Sequence, residues 1–226
     1  MEKLLSLPTF FAAAKKVGAA PHRGNTNRPP RKRDPAKPRS PSINRPKAIM
    51  RNPQPRPLQL NDLQRLAQAM RAPGQPAPLF DALASVAAET IGFRLFTIMS
   101  YDAHRHEVER IFTNMPDVYP TGGRKKKQGT AWATQILQEL RPFRGETAHD
   151  IRNAFDDHMT MANMGLGSIL NIPVAFDGVC IGTMNLTHVE HWYTRDHEDA
   201  GLLLGAFLAP ALLAHAALHA GEEAQP

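Results

Sequence analysis

The sequence predicts an α/β (α+β) fold in which a central antiparallel β-sheet is flanked by helices. The first observation is a pair of β-branched runs between Gly167 and His188, joined by the turn Phe176-Asp177-Gly178. Asp-Gly between such runs favours a hairpin, because both central turn residues must tolerate a positive φ. The second observation is that segments with apolar residues at helical spacing precede and follow this hairpin.

The elements before this hairpin are two helices and a second hairpin. Apolar spacing predicts helices over 58–70 and 79–91, and Gly92 is placed as the C-terminal cap of the second. Runs rich in Phe, Ile and Leu predict strands over 94–101 and 107–113, with a polar turn between them.

The elements from residue 114 onwards alternate between helices and strands. A loop is predicted over 114–128, a helix over 130–140 and a short edge strand at 142–144. Thr147 to Asp150 fits a capping box that opens a helix reaching Met164. After the central hairpin, Thr194 caps a long final helix that extends to residue 219.

Charge divides the chain into a basic tail and an acidic domain. Residues 1–57 hold 14 of the 27 Lys and Arg residues and 11 of the 20 prolines. We expect a disordered basic, Pro-rich N-terminal tail over 1–57, a domain over 58–219 and a short C-terminal tail over 220–226. The tail would attract nucleic acid or anionic lipid through counterion release, or it is a solvated, functionally silent extension before a start at Met50.

Composition favours the cytoplasm. Lys15 and Lys16 interrupt the apolar N-terminal region, which is untypical of a secretory signal, and the single cysteine, Cys180, can form no intramolecular disulfide. The run from Ala200 to Leu218 is uncharged over the minimum length of a membrane span. A helix that covers a sheet and also meets a partner helix has the same composition, so no membrane anchor is expected.

Four motifs in this order resemble the GAF domain family over residues 58–219: LFDALASVAAETIGF, LGSILNIPV, FDGVCIGTMNL and the helix that follows WYTRDHEDA. The resemblance implies the GAF fold and a sensory or regulatory role. GAF domains bind varied small molecules, dimerise, and regulate an output domain. The chain shows no output domain, so regulation is expected in trans.

The family's enzymatic and chromophore chemistries find little support. Free methionine sulfoxide reductases resemble this arrangement but need several cysteines, whereas this chain has only Cys180, in a predicted strand. Asn153, Phe155 and Asp156-Asp157 match only part of a cyclic-nucleotide signature and are explained as one side of a helix. We expect no catalysis, with a reductase that uses Cys180 as the remaining enzymatic alternative.

No metal site is predicted from the histidines. His104 and His106 flank a turn, and His188, His191 and His197 lie close together in sequence. No cysteine pair or His-Glu-x-x-His spacing accompanies them, so surface imidazoles explain all five.

Two features predict a ligand site. Four consecutive cations, Arg124 to Lys127, precede a helix N-terminus, and this arrangement favours the binding of an anion. The alternative is a solvated loop whose lysines face bulk water. Asn171, Thr183 and Asn185 occupy strands among apolar residues and need partners, which a ligand, a trapped water or an internal network would supply. The candidate ligand-binding residues are Tyr101, Tyr119, Thr121, Arg124, Trp132, Asp150, Phe155, His158, Asn171, Thr183 and Asn185.

The sequence therefore predicts a cytoplasmic sensory or regulatory module. A small polar ligand, with an anion as one candidate, would bind between the sheet and the helices of residues 130–164, and a homodimer would form through residues 58–70 and 195–219. The alternative is a structural dimerisation or protein-interaction module with a filled core and no ligand.

Overall fold

A computed structural model describes residues 54–223, with side chains up to residue 219. Of the predicted N-terminal tail, only the last four positions are described. The predicted C-terminal tail of residues 220–226 begins inside the last helix, which reaches Glu223, and only residues 224–226 lie outside the described part. The elements, in order, are α1 (Leu60–Met70), α2 (Ala77–Thr90), β1 (Leu95–Asp102), β2 (Glu107–Thr113), β3 (Arg124–Lys126), α3 (Ala131–Ala133) continued by a π-helical turn (Thr134–Gln138), β4 (Phe143–Gly145), α4 (Ala148–Ala154), α5 (His158–Asn163), β5 (Ser168–Phe176), β6 (Val179–His188), α6 (Arg195–Ala206) and α7 (Ala209–Glu223).

The six strands form one sheet in the order β3-β2-β1-β6-β5-β4. Every neighbouring pair is antiparallel, which confirms the predicted central sheet. The predicted turn between β5 and β6 is also confirmed, since Asp177 and Gly178 have φ values of 51° and 74°. Gly92 follows α2 with a φ of 79°, and its N–H donates to the Ala87 carbonyl as a C-terminal cap.

Alternation along the strands gives the sheet two different faces. On β6, Met184 and Leu186 belong to the large apolar core that includes residues of α1, α2, α6 and α7. Thr183 and Asn185 point to the opposite face, which α3, α4 and α5 cover with two smaller apolar clusters. The first face is therefore an apolar core, and the second mixes apolar clusters with buried polar groups.

Ion pairs attach the start of the described chain to the first two helices. Arg56 donates to Asp62 at 2.7 Å and to Glu89 at 2.6 Å, and Arg65 bridges the same two carboxylates. Hydrogen bonding by Arg56 lowers the pKa of Asp62 to about 2. The described fold therefore includes Arg56, which lies two positions before the predicted start of the domain at residue 58.

Two predictions about the middle of the chain were wrong. The predicted loop 114–128 contains β3, whose Lys126 and Arg124 pair in register with Glu107 and Glu109 of β2. Cross-strand charge pairing stabilises this edge strand in the absence of β-branched residues, which is why apolar patterning did not reveal it. The predicted helix over 130–140 is a single α-helical turn followed by a π-helical turn.

Two predicted helices are broken. The helix from the Thr147 capping box stops at Ala154, because Phe155 adopts an extended conformation and packs its ring edge-on against Trp132 at 6.1 Å. Asp156 and Asp157 therefore lie between two helices and not on the polar side of one. The final helix breaks between α6 and α7 with a bend of 51°, and Pro210 at the second position of α7 lacks the N–H that a continuous helix would need.

Among the described residues, no single helix has the length and apolar character required to cross a membrane. The bent pair Arg195–Ala206 and Ala209–His219 meets that requirement jointly, by length and composition alone.

Gly182 on β6 lies directly beneath α7. A Cβ atom placed there would collide with the Met99 carbonyl oxygen of β1 and lie 2.8 Å from Leu212 of α7. The absence of a side chain at Gly182 therefore permits both the β1–β6 pairing and the docking of α7.

We predict that Gly182→Ala lowers the free energy of unfolding by about 2–3 kcal/mol, because backbone and helix must both shift to accommodate a methyl group. Gly123→Ala is the matched control, since its nearest neighbour would be Arg110 at 3.5 Å, an ordinary contact. Urea denaturation of both variants measures the difference. An unchanged Gly182→Ala midpoint would contradict the close approach.

Candidate functional site

A small cavity of about 70 Å³, which we call the sheet cavity, lies on the second face of the sheet beneath α3 and α5. Its walls combine strand residues, the loop that follows β2, and the aromatic rings of the covering helices. The lining residues are Leu95, Thr97, Met99, Val108, Arg110, Tyr119, Lys125, Lys127, Trp132, Phe155, Asp157, Met161, Ile169, Asn171, Asn185 and Thr187.

A continuous hydrogen-bond network forms the polar floor of the sheet cavity. The Trp132 indole N–H donates to the Asn171 Oδ1 at 3.0 Å, and the Asn171 amide donates in turn to the Asn185 Oδ1 at 2.7 Å. The Asn185 amide then donates to the hydroxyls of Thr183 at 3.1 Å and Thr97 at 3.3 Å. These strand amides are therefore satisfied internally, which was one of the alternatives left open by the sequence.

Three cations line the sheet cavity, and the two that are partly buried, Arg110 and Lys127, form no ion pair among the described residues. Arg110 donates from Nη1 to the Pro120 carbonyl at 3.0 Å, while its buried Nε has no partner. Lys127 places its Nζ 5.1 Å from the centre of the Trp132 ring and 5.6 Å from that of Phe155. Burial lowers the pKa of both cations, because it penalises their charged forms.

Tyr119 and Asp157 are the other ionisable groups of the cavity. The Tyr119 ring lies 5.0 Å from the Arg110 guanidinium, and its buried hydroxyl is close to the Asp157 carboxylate but has no partner at full hydrogen-bond distance. Burial, followed by the nearby charge of Asp157, raises the pKa of Tyr119 to about 12. The phenol is therefore neutral at physiological pH, and its hydroxyl can donate a hydrogen bond.

The lining residues of the sheet cavity carry a net positive formal charge, which favours an anionic ligand. Arg110, Lys125 and Lys127 carry positive charges, whereas Asp157 is the one carboxylate among the lining residues. Aromatic faces next to Lys127 offset part of the cost of burying its charge. A bound anion would complete the compensation and would also accept from the Arg110 Nε and the Tyr119 hydroxyl.

The structure brings together about half of the predicted site residues. The five that line the sheet cavity are Tyr119, Trp132, Phe155, Asn171 and Asn185. Thr183 is fully buried beside them and accepts from Asn185.

The other five predicted residues lie elsewhere. Tyr101 and Arg124 line a separate groove beside α7, where Arg124 pairs with Glu109 at 2.7 Å. Asp150 caps α4 by accepting from the Thr147 N–H at 3.0 Å, and His158 lies 3.0 Å from the Phe155 carbonyl. Thr121 is an exposed loop residue.

The cavity's main charged residues were not among the predicted candidates. Arg110 shares a strand face with Val108, so alternation along β2 would have placed its side chain on the inner face. Lys127 belongs to the cationic run singled out in the sequence, but nothing in the pattern distinguishes it from its three neighbours. Asp157 was assigned to a helix that the structure interrupts.

Cys180 and His188 are both buried. Burial raises the pKa of the Cys180 thiol to about 11, and its Sγ donates to the Gly182 carbonyl. The expectation that His188 is a surface imidazole was wrong: its ring stacks on Trp192 at 3.6 Å, and burial lowers its pKa to about 4. Neither side chain lines the sheet cavity.

Comparison with solved structures identifies the fold. The GAF domain of a phosphoenolpyruvate-protein phosphotransferase from Coxiella burnetii has a TM-score of 0.57 and 17% identity, covering 72% of this chain and 96% of that one. The corresponding domain from Acinetobacter has a TM-score of 0.56 and 14% identity, covering 71% of this chain and 96% of that one. A fragment of a methyl-accepting chemotaxis protein has a TM-score of 0.52 and 14% identity, covering 68% and 96%.

This chain therefore has the GAF fold, as the resemblance of its motifs implied. No protein-family model matches the sequence, and neither does any curated protein sequence. Identities of this size establish the fold and transfer no ligand, partner or catalytic residue.

We predict that Asn185→Leu lowers the free energy of unfolding by about 1–3 kcal/mol, because it leaves the Asn171 amide and two threonine hydroxyls without partners. Asn153→Leu, at an exposed position of α4, is the matched control and should change stability by less than about 0.5 kcal/mol. Chemical denaturation compares the two. Full stability of Asn185→Leu would show that the network does not hold the sheet face together.

Proposed function

We propose that this protein is a non-catalytic sensory or regulatory GAF module that binds a small anion in the sheet cavity. It works in the cytoplasm as a homodimer and acts in trans on a separate output protein. The GAF fold supports the general role, since the fold is typical of small-molecule-binding regulatory modules. The residues of the cavity support the more specific statement about the ligand.

The observation that carries the proposal is that Arg110 and Lys127, two partly buried cations of the cavity wall, have no ion-pair partner in the described part of the chain. Buried charges are costly unless they are paired or hydrogen-bonded. Asp157 contributes one negative charge to a wall that holds three positive ones. An anion between Lys127 and the Tyr119 hydroxyl would pair the first and satisfy the second.

The size of the cavity restricts the ligand class. A volume of about 70 Å³ is far below the roughly 300–1,000 Å³ typical of drug-sized ligand sites. It suits a few non-hydrogen atoms, such as the carboxylate or phosphate group of a small metabolite. A larger molecule would enter only if the segment of residues 114–128, which supplies Tyr119 and Lys127, moved outwards.

Movement of this segment provides a route from ligand to output. An anion that holds Lys127 and Tyr119 inwards would favour one arrangement of β3 and the preceding loop. β3 pairs with β2, which pairs with β1, and β1 contacts α7. Regulation follows if the ligand binds more tightly to one arrangement of the terminal helices than to another.

Exposed leucines support a homodimer through the terminal helices. Leu60 of α1 is exposed, and so are Leu203 of α6 and both Leu213 and Leu218 of α7. These positions fall within the segments 58–70 and 195–219 predicted as the interface. Association would remove their apolar side chains from water.

The buried thiol supports a role without catalysis by Cys180. A sulfoxide reductase needs a reactive thiolate, whereas burial raises the pKa of Cys180 well above physiological pH. Its position in β6, against Trp132 and Ile136, is that of a small apolar core residue.

The alternative function is a structural dimerisation or interaction module without a ligand. The internally satisfied network of Asn171, Thr183 and Asn185 favours this alternative, because those residues need no ligand to complete their hydrogen bonds. The two functions make different predictions for Lys127. Its charge contributes to ligand binding in the sensory module, whereas the structural module has no ligand for it to bind.

We predict that the wild-type chain binds inorganic phosphate or acetate with one saturable site, and that Lys127→Met weakens this binding at least about tenfold. The loss follows from removing one charge-assisted hydrogen bond, worth about 1.5–3 kcal/mol. Lys126→Met is the matched control, because Lys126 is exposed and does not line the cavity. Isothermal titration calorimetry at constant ionic strength measures all three proteins.

The Lys126→Met control distinguishes binding in the sheet cavity from general attraction of anions to a solvated cationic loop. Equal weakening by Lys126→Met and Lys127→Met would contradict the proposed site. Absence of saturable binding of either anion to a folded wild-type protein would favour the structural module.

We also predict that Leu203→Glu combined with Leu213→Glu converts the dimer into a folded monomer, because two charges would have to be buried at the interface. Val179→Glu, an equally exposed apolar position on the β5–β6 turn, should leave the dimer intact. Sedimentation velocity measures the masses. A wild-type monomer, or a double variant that still dimerises, would contradict the proposed interface.

A further inference from the structure

A second concave surface lies on the other face of the sheet, independent of the sheet cavity and of the function proposed for it. This open groove of about 600 Å³, which we call the α7 groove, runs between the β1–β2 hairpin and α7. Strand alternation places Glu109 of β2 on this side, whereas the adjacent Arg110 faces the sheet cavity.

Three side chains with metal-binding groups converge in the α7 groove: Glu109, His215 and His219. The histidines are four residues apart on α7 and therefore share one helix face. Their ring centres are 4.4 Å apart, and one ligand atom from each of the three residues lies within 4.8 Å of the other two. No other group of three or more such residues occurs among the described side chains.

One distance between ligand atoms is close to that of a tetrahedral metal centre. Bonds of about 2.0–2.2 Å place tetrahedral ligand atoms roughly 3.4 Å from one another. The His215 Nε2 lies 3.8 Å from the Glu109 Oε2, so a side-chain adjustment of a few tenths of an ångström would bring both within bonding distance of one ion.

The His215 Nε2 is also a buried polar atom without a hydrogen-bond partner. A nitrogen that faces a carboxylate at a distance too long for a hydrogen bond is poorly used by the protein alone, because its desolvation is not compensated. A cation between the two groups would engage both. This observation is independent of the spacing of the histidines.

Arg124 provides a second contact to the same carboxylate. Its Nη2 lies 2.7 Å from the Glu109 Oε2, and partners of this kind orient the carboxylates that bind metals.

We propose that Glu109, His215 and His219 form a binding site for a divalent transition-metal ion, with Zn²⁺ as the best match. Two imidazole nitrogens and one carboxylate oxygen are ligands that Zn²⁺ commonly takes. Three protein ligands leave a fourth position, which opens into the α7 groove. A bound ion would fasten α7 to the β1–β2 edge of the sheet.

The site is tested with Zn²⁺ on the full-length, tag-free chain after removal of metals with a chelator. Calorimetry should show one Zn²⁺ per chain, and His215→Ala and His219→Ala should each weaken binding at least about tenfold. Glu109→Gln, which preserves side-chain size, should weaken it as well. His149→Ala, an exposed histidine of α4 outside the groove, should bind like the wild type.

Thermal unfolding gives a second readout that does not depend on calorimetry. Zn²⁺ should raise the Tm of the wild type and of His149→Ala and leave that of the His215→Ala and His219→Ala variants unchanged, since only the native state holds the three ligands together. Circular dichroism checks that the variants are folded. Absence of one-to-one binding to the wild type, or undiminished binding by the two groove variants, would overturn the proposal.

Discussion

The hydrogen-bond network from Trp132 through Asn171 to Asn185 is the constraint on which the second face of the sheet depends. It crosses β5, β6 and β1 and fixes the first turn of α3 above them, because the indole N–H has its acceptor on the sheet. A buried amide network of this kind stabilises the native arrangement only when every member is satisfied. Asn185 meets this condition by accepting once and donating twice, to Thr97 and to Thr183.

Because of this network, the two faces of the sheet differ in the groups that they bury. The first face is a continuous apolar core, where small residues such as Gly182 permit close helix packing. On the second face the network uses up the strand amides, so any ligand must be recognised by groups above the floor. Those groups are the cations Arg110 and Lys127, which lack ion-pair partners within the described residues, and the Tyr119 hydroxyl. In the proposed function, specificity for the anion therefore comes from Arg110 of β2, Tyr119 of the following loop and Lys127, the residue after β3.

The sequence predicted the sheet and most of its helices because alternation, turn chemistry and capping are local signals. Asp177-Gly178 and the Thr147 capping box are examples that the structure confirms. The interruptions of the predicted helices could not be predicted from local sequence. Phe155 leaves a helical conformation for a tertiary contact with Trp132, which no local pattern encodes.

The prediction of the site was incomplete for the same reason, because tertiary contacts leave no local sequence pattern. Buried polar strand residues were recognised from their sequence context, but whether a ligand or an internal network satisfied them depended on Trp132, 39 residues away from Asn171. Arg110 escaped notice because a lone arginine in a half-buried strand is typical of a solvent-facing position. His215 lay in a run that was interpreted for its apolar character, and His219 follows directly after that run. Glu109 reaches them only through the packing of α7 on the sheet.

Hydrogen exchange of side-chain N–H groups, measured by NMR on isotopically labelled protein, tests the central claim most directly. We expect the Trp132 indole proton and the side-chain amide protons of Asn171 and Asn185 to exchange far more slowly than the side-chain amide protons of the exposed Asn153. Exchange of the Asn171 and Asn185 amides at the rate of Asn153 would contradict a closed network, because it would mean that solvent satisfies the polar groups on this face of the sheet.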